Sequence, residues 1–347
     1  MDIDEISEKI NMVIKEIHKA IIGYDYELKL LLASLLSDGH VLLEGVPGIA
    51  KTTIARALVR VLGLEERRKY FIENIPFTGF SRIQFTPDLM PSDITGSLIF
   101  NPVTREFEPR LGPIFSYIVL ADEINRATPR TQSAMLQAMQ EREVTIGDKT
   151  YKLEYKDKGK FFFVIATENP IEQEGTYPLP EAQLDRFMMR IIMGYPKSLE
   201  EEKNIYKLHA YRIVEPVEDL EKIVTPDWVV EAQKTISKEI MVSDTMLDYI
   251  ARIIRATRPE ILKSIKKYFE LGASPRAGIM LVKVSKALAA IRGSDKVEYV
   301  DLEKALFPVL NHRVIPNIDL VIEYGGDFEA RMRVIREGLK HAVEAVT

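Results

Sequence analysis

Apolar residues recur every three or four positions through the first segment of the chain, at Ile3, Ile6, Ile10, Val13, Ile17 and Ile21. That is the period of an amphipathic helix. A second helix is expected over residues 26–36. The pattern then shortens: His40-Val41-Leu42-Leu43-Glu44 reads as a buried strand running into a Gly/Pro-rich turn, and residues 52–62 as a helix that Gly63 can cap. Two more apolar runs, 117–121 and 161–166, have the unbroken hydrophobicity of parallel strands covered on both faces. Residues 187–193 are expected to add another strand, and 130–139 is helical in pattern. Strands alternating with helices predict an α/β domain with a mostly parallel sheet.

Beyond Pro196 the strand signals vanish. Residues 199–211, 227–237, 243–257, 274–291 and 299–310 all carry the helical period. Pro226 and Ser243 stand where helices begin, and Gly293 follows a helix end. An all-α second domain is expected, and residues 317–347 continue with mixed signals into a charged helix. The division predicted is 1–196 for the α/β core, 197–315 for a helical domain and 316–347 for a C-terminal extension.

Composition narrows the chemistry. Of 347 residues, 46% are hydrophobic and 29% charged, which is globular rather than disordered. With a net charge of −5, no whole-protein field draws the chain to nucleic acid or anionic lipid. The absence of cysteine excludes disulfides, thiolate metal sites and a cysteine nucleophile. His18, His40, His209, His312 and His341 are scattered without metal-site spacing and read as structural or solvated. No apolar run approaches the roughly 20 residues that span a bilayer, and the charged start MDIDEISEKI does not suit a signal peptide. A cytoplasmic protein is expected.

Five short motifs carry candidate chemistry. Gly45-Val46-Pro47-Gly48-Ile49-Ala50-Lys51-Thr52 lies between a strand and a helix, the setting of a phosphate-binding loop. Its amides and the helix N-terminus favour phosphate oxygens. Lys51 can reach the β- and γ-phosphates, and the Thr52 hydroxyl can ligate Mg²⁺. Ala50 stands where a glycine is usual and is expected to take helical dihedrals, needing no positive φ. The strand 118–121 ends in Asp122-Glu123, at a sheet edge where ligands bind. There Asp122 would hold Mg²⁺ through water, and Glu123 would orient and deprotonate an attacking water. Asn169, after another strand, could face the γ-phosphate or simply belong to an Asn-Pro turn. Arg186 could neutralise charge on a transferring phosphoryl group from a neighbouring subunit, or pair with Asp185. Arg276, in a helix's first turn, invites an anion, because a cation there opposes the helix dipole; the plain alternative is a solvated side chain.

Taken together, the order of these motifs resembles the AAA+ plan. The segments GVPGIAKT, RIQFTPDLMPSDITG, LADEINRA, QAMQEREVTIG, ATENPIEQEGTYPLPEAQLDRF and SPRAG resemble the MoxR family over about residues 20–315. The resemblance makes Lys51 the Walker A lysine, Asp122 and Glu123 the Walker B pair, and Asn169 sensor 1. It makes Arg186 the arginine finger and Arg276 sensor 2. The nucleotide-binding set runs through Thr53 and also takes in Ile22 and Gly23.

The resemblance further implies an ATPase using ATP and Mg²⁺, bound between core and lid, in a hexameric ring that remodels or activates client proteins, with a von Willebrand A-domain protein as a partner. Membrane contact is not expected. Segments 95–113 and 144–155 would be inserted hairpins that meet substrate. The alternative is a nucleic-acid motor like the helicases that share such a hairpin. Two stretches exceed the family pattern. One is residues 65–80, whose Arg67, Arg68, Lys69, Tyr70 and Phe71 superficially suit nucleic acid but are expected to extend a helix or contact a subunit. The other is the tail after Asn317.

Overall fold

In the computed structural model, which describes residues 1–170 and 175–347, the three apolar runs of the first half lie side by side as parallel strands. Residues 171–174, within the longest of the quoted motifs, fall outside the described residues. The chain opens with α1 (Ile3–Ile17) and α2 (Asp25–Leu36), then β1 (Val41–Glu44) turns into α3 (Lys51–Val61). A hairpin of β2 (Lys69–Ile72) and β3 (Ile75–Gln84) follows. A short α4 (Pro91–Thr95) then leads to a second hairpin, β4 (Gly96–Asn101) and β5 (Glu106–Leu111). β6 (Ser116–Asp122), α5 (Pro129–Glu141) and the hairpin β7 (Glu143–Ile146) and β8 (Lys149–Lys152) come next. β9 (Phe163–Glu168), α6 (Glu181–Leu184) and β10 (Met189–Ile192) complete this half.

The central sheet has the order β10-β1-β9-β6-β3-β2. All its pairings are parallel except β2 with β3. Strands β1 and β6 are buried along their whole length, so neither face offers a polar alternation. The segment 65–80 is therefore not a helix extension: it adds an antiparallel edge strand to the sheet. Its turn residues Glu73 and Asn74 have φ of 51° and 65°, the paired left-handed conformation of a type I′ hairpin turn.

The second half comprises α7 (Leu199–Ala210), α8 (Pro226–Glu239), α9 (Asp244–Ala256), β11 (Phe269–Leu271) and α10 (Pro275–Arg292). α11 (Tyr299–Leu310), β12 (Ile315–Pro316), α12 (Ile318–Glu323) and α13 (Phe328–Glu344) end it. Caps fall where residue chemistry placed them: Ser243 accepts from Met246 N, and Gly293 closes α10 at φ 80°. The expectation of a purely helical second half needs correcting, because β11 and β12 pair antiparallel. Strands of two and three residues carry no readable period. Helix α10 packs against α1 and α2, and α11 against β10, so this half leans on the β10 edge of the sheet.

Candidate functional site

The carboxyl ends of β1, β6 and β9 meet at one edge of the sheet, and each continues into a motif singled out above. After β1 the chain turns at Gly45, where a Cβ would lie 2.5 Å from the Met193 carbonyl oxygen. Only glycine fits that approach. Gly48 has φ 82° and faces open space, with nothing within 4 Å of a Cβ built on it. Ala50 also takes a left-handed conformation, φ 62° and ψ 19°, which corrects the expectation of helical dihedrals there. For an L-residue that costs about 1–2 kcal/mol. Lys51 Nζ donates to the carbonyls of Gly45 at 2.5 Å and Glu168 at 3.4 Å. Thr52 and Thr53 are half-buried in the first turn of α3. Ile22 and Gly23 lie in the turn between α1 and α2, held near the loop by Tyr24, whose hydroxyl donates to the Gly194 carbonyl at 2.9 Å.

The acidic pair at the end of β6 is tightly organised. Thr167 Oγ1 donates to Asp122 Oδ1 at 2.6 Å and accepts from Glu123 N at 2.8 Å. On the other side, Arg82 donates to Asp122 Oδ2 through Nε at 2.9 Å and Nη2 at 2.6 Å. Gln84 Nε2 donates to Glu123 Oε2 at 2.7 Å, and Arg126 Nε stands 3.3 Å from the same oxygen. Sequence reasoning gave Arg82, Gln84 and Arg126 no role. The available signal was period two: Arg82 and Gln84 share a face of β3, and Gln84 is in register with Asp122. The oxygen set of Asp122 and Thr52 suits Mg²⁺, a hard cation, and Arg82 is the charge it would have to replace.

Asn169 follows β9 and is buried. It lines a cavity of about 800 Å³ with Asn125, Glu44, Glu168 and Arg190. Leu42 is in register with both Ala166 and Arg190, so Glu44, Glu168 and Arg190 share one face of the sheet. Arg190 Nε donates to Glu44 in a buried ion pair. Burial, followed by the Glu44 charge, pushes Glu168 up to about 7, against the pull of Arg190, Arg331 and Lys51.

Arg186 and Arg276 lie elsewhere. The Met188 amide still bonds to the His40 carbonyl, so residues 185–186 sit at the amino edge of β10. From Met188 to Ile192, level with Glu44, is about 13 Å of strand. Asp185 does not pair with Arg186: it receives Arg276 at 3.2 Å and Arg313 at 2.7 Å. The structure gives the Arg186 guanidinium no hydrogen bond or ion pair among the described residues. Arg276 is thus bonded to the chain neighbour of Arg186.

The two inserted hairpins pack together. Leu98 of β4 closes on Gly147 in the β7–β8 turn. At the first hairpin, Val103 is 90% exposed, and Phe100 and Phe107 are also outside the core. On the extra edge hairpin Arg67, Arg68 and Lys69 are exposed, and Arg68 bonds to Glu65 and lies over the Tyr70 ring. Among the described residues no cluster of His, Asp and Glu could hold a metal by itself, and no helix is long and apolar enough to cross a membrane.

Comparison with known proteins agrees with this geometry. Residues 40–189 match the model of the ATPase family associated with various cellular activities (AAA), and residues 262–322 match that of the AAA lid domain. Chaperone MoxR1 of Mycobacterium tuberculosis is 40% identical over 317 residues, spanning 90% of this chain and 78% of that protein. YeaC of Bacillus subtilis is 39% identical over 343 residues, 98% and 97% of the two chains. Protein MoxR of Methylorubrum extorquens is 30% identical over 319 residues, 86% and 85%. The crystal structure of a candidate ATPase from Cytophaga hutchinsonii superimposes with a TM-score of 0.80 at 39% identity, covering 96% of this chain and 94% of that one.

Proposed function

The chain belongs to the MoxR family of AAA+ ATPases, and we propose that it hydrolyses Mg–ATP in a hexameric ring to remodel or activate client proteins in the cytoplasm. The observation that carries this reading is the meeting of Lys51, Asp122, Glu123 and Asn169 at one sheet edge, with Thr167 bridging the acidic pair. The amides of residues 45–51 would cradle the phosphates, Lys51 would exchange its carbonyl partners for phosphate oxygens, Thr52 would ligate the metal and Asp122 would hold it through water. Mg²⁺ supplies neutralisation of phosphate charge. Glu123 orients the attacking water and takes its proton, and Asn169 fixes the γ-phosphate side.

The position of Arg186 supports the ring. It stands at the opposite edge from its own phosphate loop, so the phosphate it serves is a neighbour's. Arg276, bonded to its chain neighbour Asp185, acts on the same foreign nucleotide. One relative is the chaperone MoxR1, and the exposed apolar tip of β4–β5 suits a protein client, with a von Willebrand A-domain protein as a partner of the assembly. Against the nucleic-acid motor, the chain carries a net charge of −5, and Arg68 of the edge hairpin is already paired with Glu65.

The test compares Glu123→Gln with Lys51→Ala. The first should keep ATP binding and lose turnover by about two to four orders of magnitude; the second should lose binding. Wild-type turnover in Glu123→Gln overturns the assignment. Captured on Glu123→Gln rings held in ATP, clients should be proteins. Stimulation of the ATPase by single-stranded DNA, steeply weakened by salt, would favour the motor.

A further inference from the structure

The C-terminal helix α13 reaches back to the sheet at the cavity behind the phosphate loop. Its first turn contributes Phe328 and Arg331 to the same walls as Glu44, Glu168, Asn169 and Arg190. The Phe328 ring lies 5.6 Å from the Arg190 guanidinium, within cation–π range. Arg190 in turn is ion-paired to Glu44, and both side chains are under 10% exposed. Glu44 is followed directly by Gly45, the first residue of the loop. Glu168 is followed directly by Asn169, and its carbonyl accepts from Gly45 N at 3.2 Å and from Lys51.

Charge explains why a second cation belongs here. Two carboxylates, Glu44 and Glu168, share one sheet face, and Arg190 bonds only the first of them. Glu168 is half-buried, and a carboxylate partly withdrawn from water without an ion-pair partner takes up a proton more readily. Arg331 approaches from α13 and faces Glu44, Glu168 and Glu181 as well as Arg190. Lys51 faces Glu168 from α3. Glu44, Lys51, Arg190 and Arg331, on β1, α3, β10 and α13, are the charged groups acting on Glu168 among the described residues, and Glu181 of α6 lines the same cavity.

We propose that α13 is a positioning element of the ATPase site: Phe328 and Arg331 hold the Glu44–Arg190–Glu168 cluster, and the cluster sets Gly45 and Asn169 for turnover. The inference rests on reading residues 45–53 and Asn169 as the ATP site. Failure of that reading would appear separately, as unimpaired nucleotide binding in Lys51→Ala.

The test uses the full chain and measures kcat, KM and the affinity for ATP across pH 6–9. Arg331→Ala should lower kcat at least about fivefold while the ATP dissociation constant stays near wild type. The acid limb of its kcat profile should move up by about one pH unit, because Glu168 loses an opposite charge. Arg331→Lys should restore both. In a Glu168→Gln background the Arg331→Ala change should have no further effect on kcat, which a merely structural role would not produce. Phe328→Ala should reproduce the kcat loss. Wild-type kcat and an unshifted profile in Arg331→Ala overturn the proposal, as does a full additional loss in the Glu168→Gln background.

Discussion

Arg276 donates to the carboxylate of Asp185 at 3.2 Å, and Asp185 is the chain neighbour of Arg186. The lid arginine is therefore anchored on the residue that precedes the core arginine in the chain. The other oxygen of Asp185 receives Arg313, whose side chain is 1% exposed and also donates to the Val309 and Met188 carbonyls. Asp185→Ala should leave that buried cation short of its counter-ion and destabilise the fold by about 3 kcal/mol, the lower end for breaking a buried pair. Arg276→Ala, half exposed, should change the unfolding midpoint little. Thermal unfolding of the two variants side by side checks the ranking, and equal midpoints would contradict it.

The proposed action of Arg186 on a neighbouring subunit makes a second prediction. Arg186→Ala should retain nucleotide affinity while turnover falls. Mixed with Lys51→Ala protein, it should regain part of its activity, because some sites then combine an intact loop with an intact neighbouring arginine. No recovery after demonstrated co-assembly would mean that Arg186 does not act on a neighbour.

Arg82 bonds twice to Asp122, the carboxylate proposed to hold the metal. Removing it deletes an internal competitor for Asp122. Arg82→Gln should therefore lower the Mg²⁺ concentration that gives half-maximal ATPase activity, measured at fixed ATP. An unchanged or higher requirement would show that Arg82 does not compete with the metal.

His40 offers a pH test of stability. It is buried, with Val164 N donating to Nδ1 at 3.0 Å and Nε2 bonding to the Met139 carbonyl at 3.0 Å. Burial, aided by the Arg142 charge, lowers its pKa to about 3. The unfolded chain takes up that proton near the ordinary value of about 6.5. Between these values the unfolded state binds more protons, so stability is complete above pH 6.5 and falls as pH drops toward 3. The single group contributes a slope of about 1.4 kcal/mol per pH unit. In His40→Gln this part of the acid dependence should vanish; an identical slope in both proteins would place the titration elsewhere.

Much of the architecture could be read along the chain. Residues near in sequence decide a helix period, a cap such as Ser243, a C-terminal glycine such as Gly293, or an apolar strand running into Gly45. The interactions responsible reach only a few residues. The same holds for the phosphate loop and the Asp122–Glu123 pair, whose motifs are contiguous. The β2–β3 hairpin was less legible because Glu73 and Asn74 make its turn without glycine, the usual signal for that geometry.

What the tertiary structure alone decided depends on partners far apart in the chain. Arg82 meets Asp122, Arg276 meets Asp185, and Phe328 meets Arg190; sheet register and packing choose these pairs, and no local period encodes them. Lys160 is the plainest case. Composition would put a lysine on the surface, yet it is fully buried, donating to the carbonyls of Ser116, Leu153 and Phe161. Burial pulls its pKa well below the ordinary lysine value, and three carbonyls and the rings of Phe77, Tyr117 and Phe162 stand in for water around its amine. Local sequence determined which elements form and where the phosphate chemistry sits. Which charges face one another across the sheet followed from the free energy of burying them together, and that is settled only when the whole chain is packed.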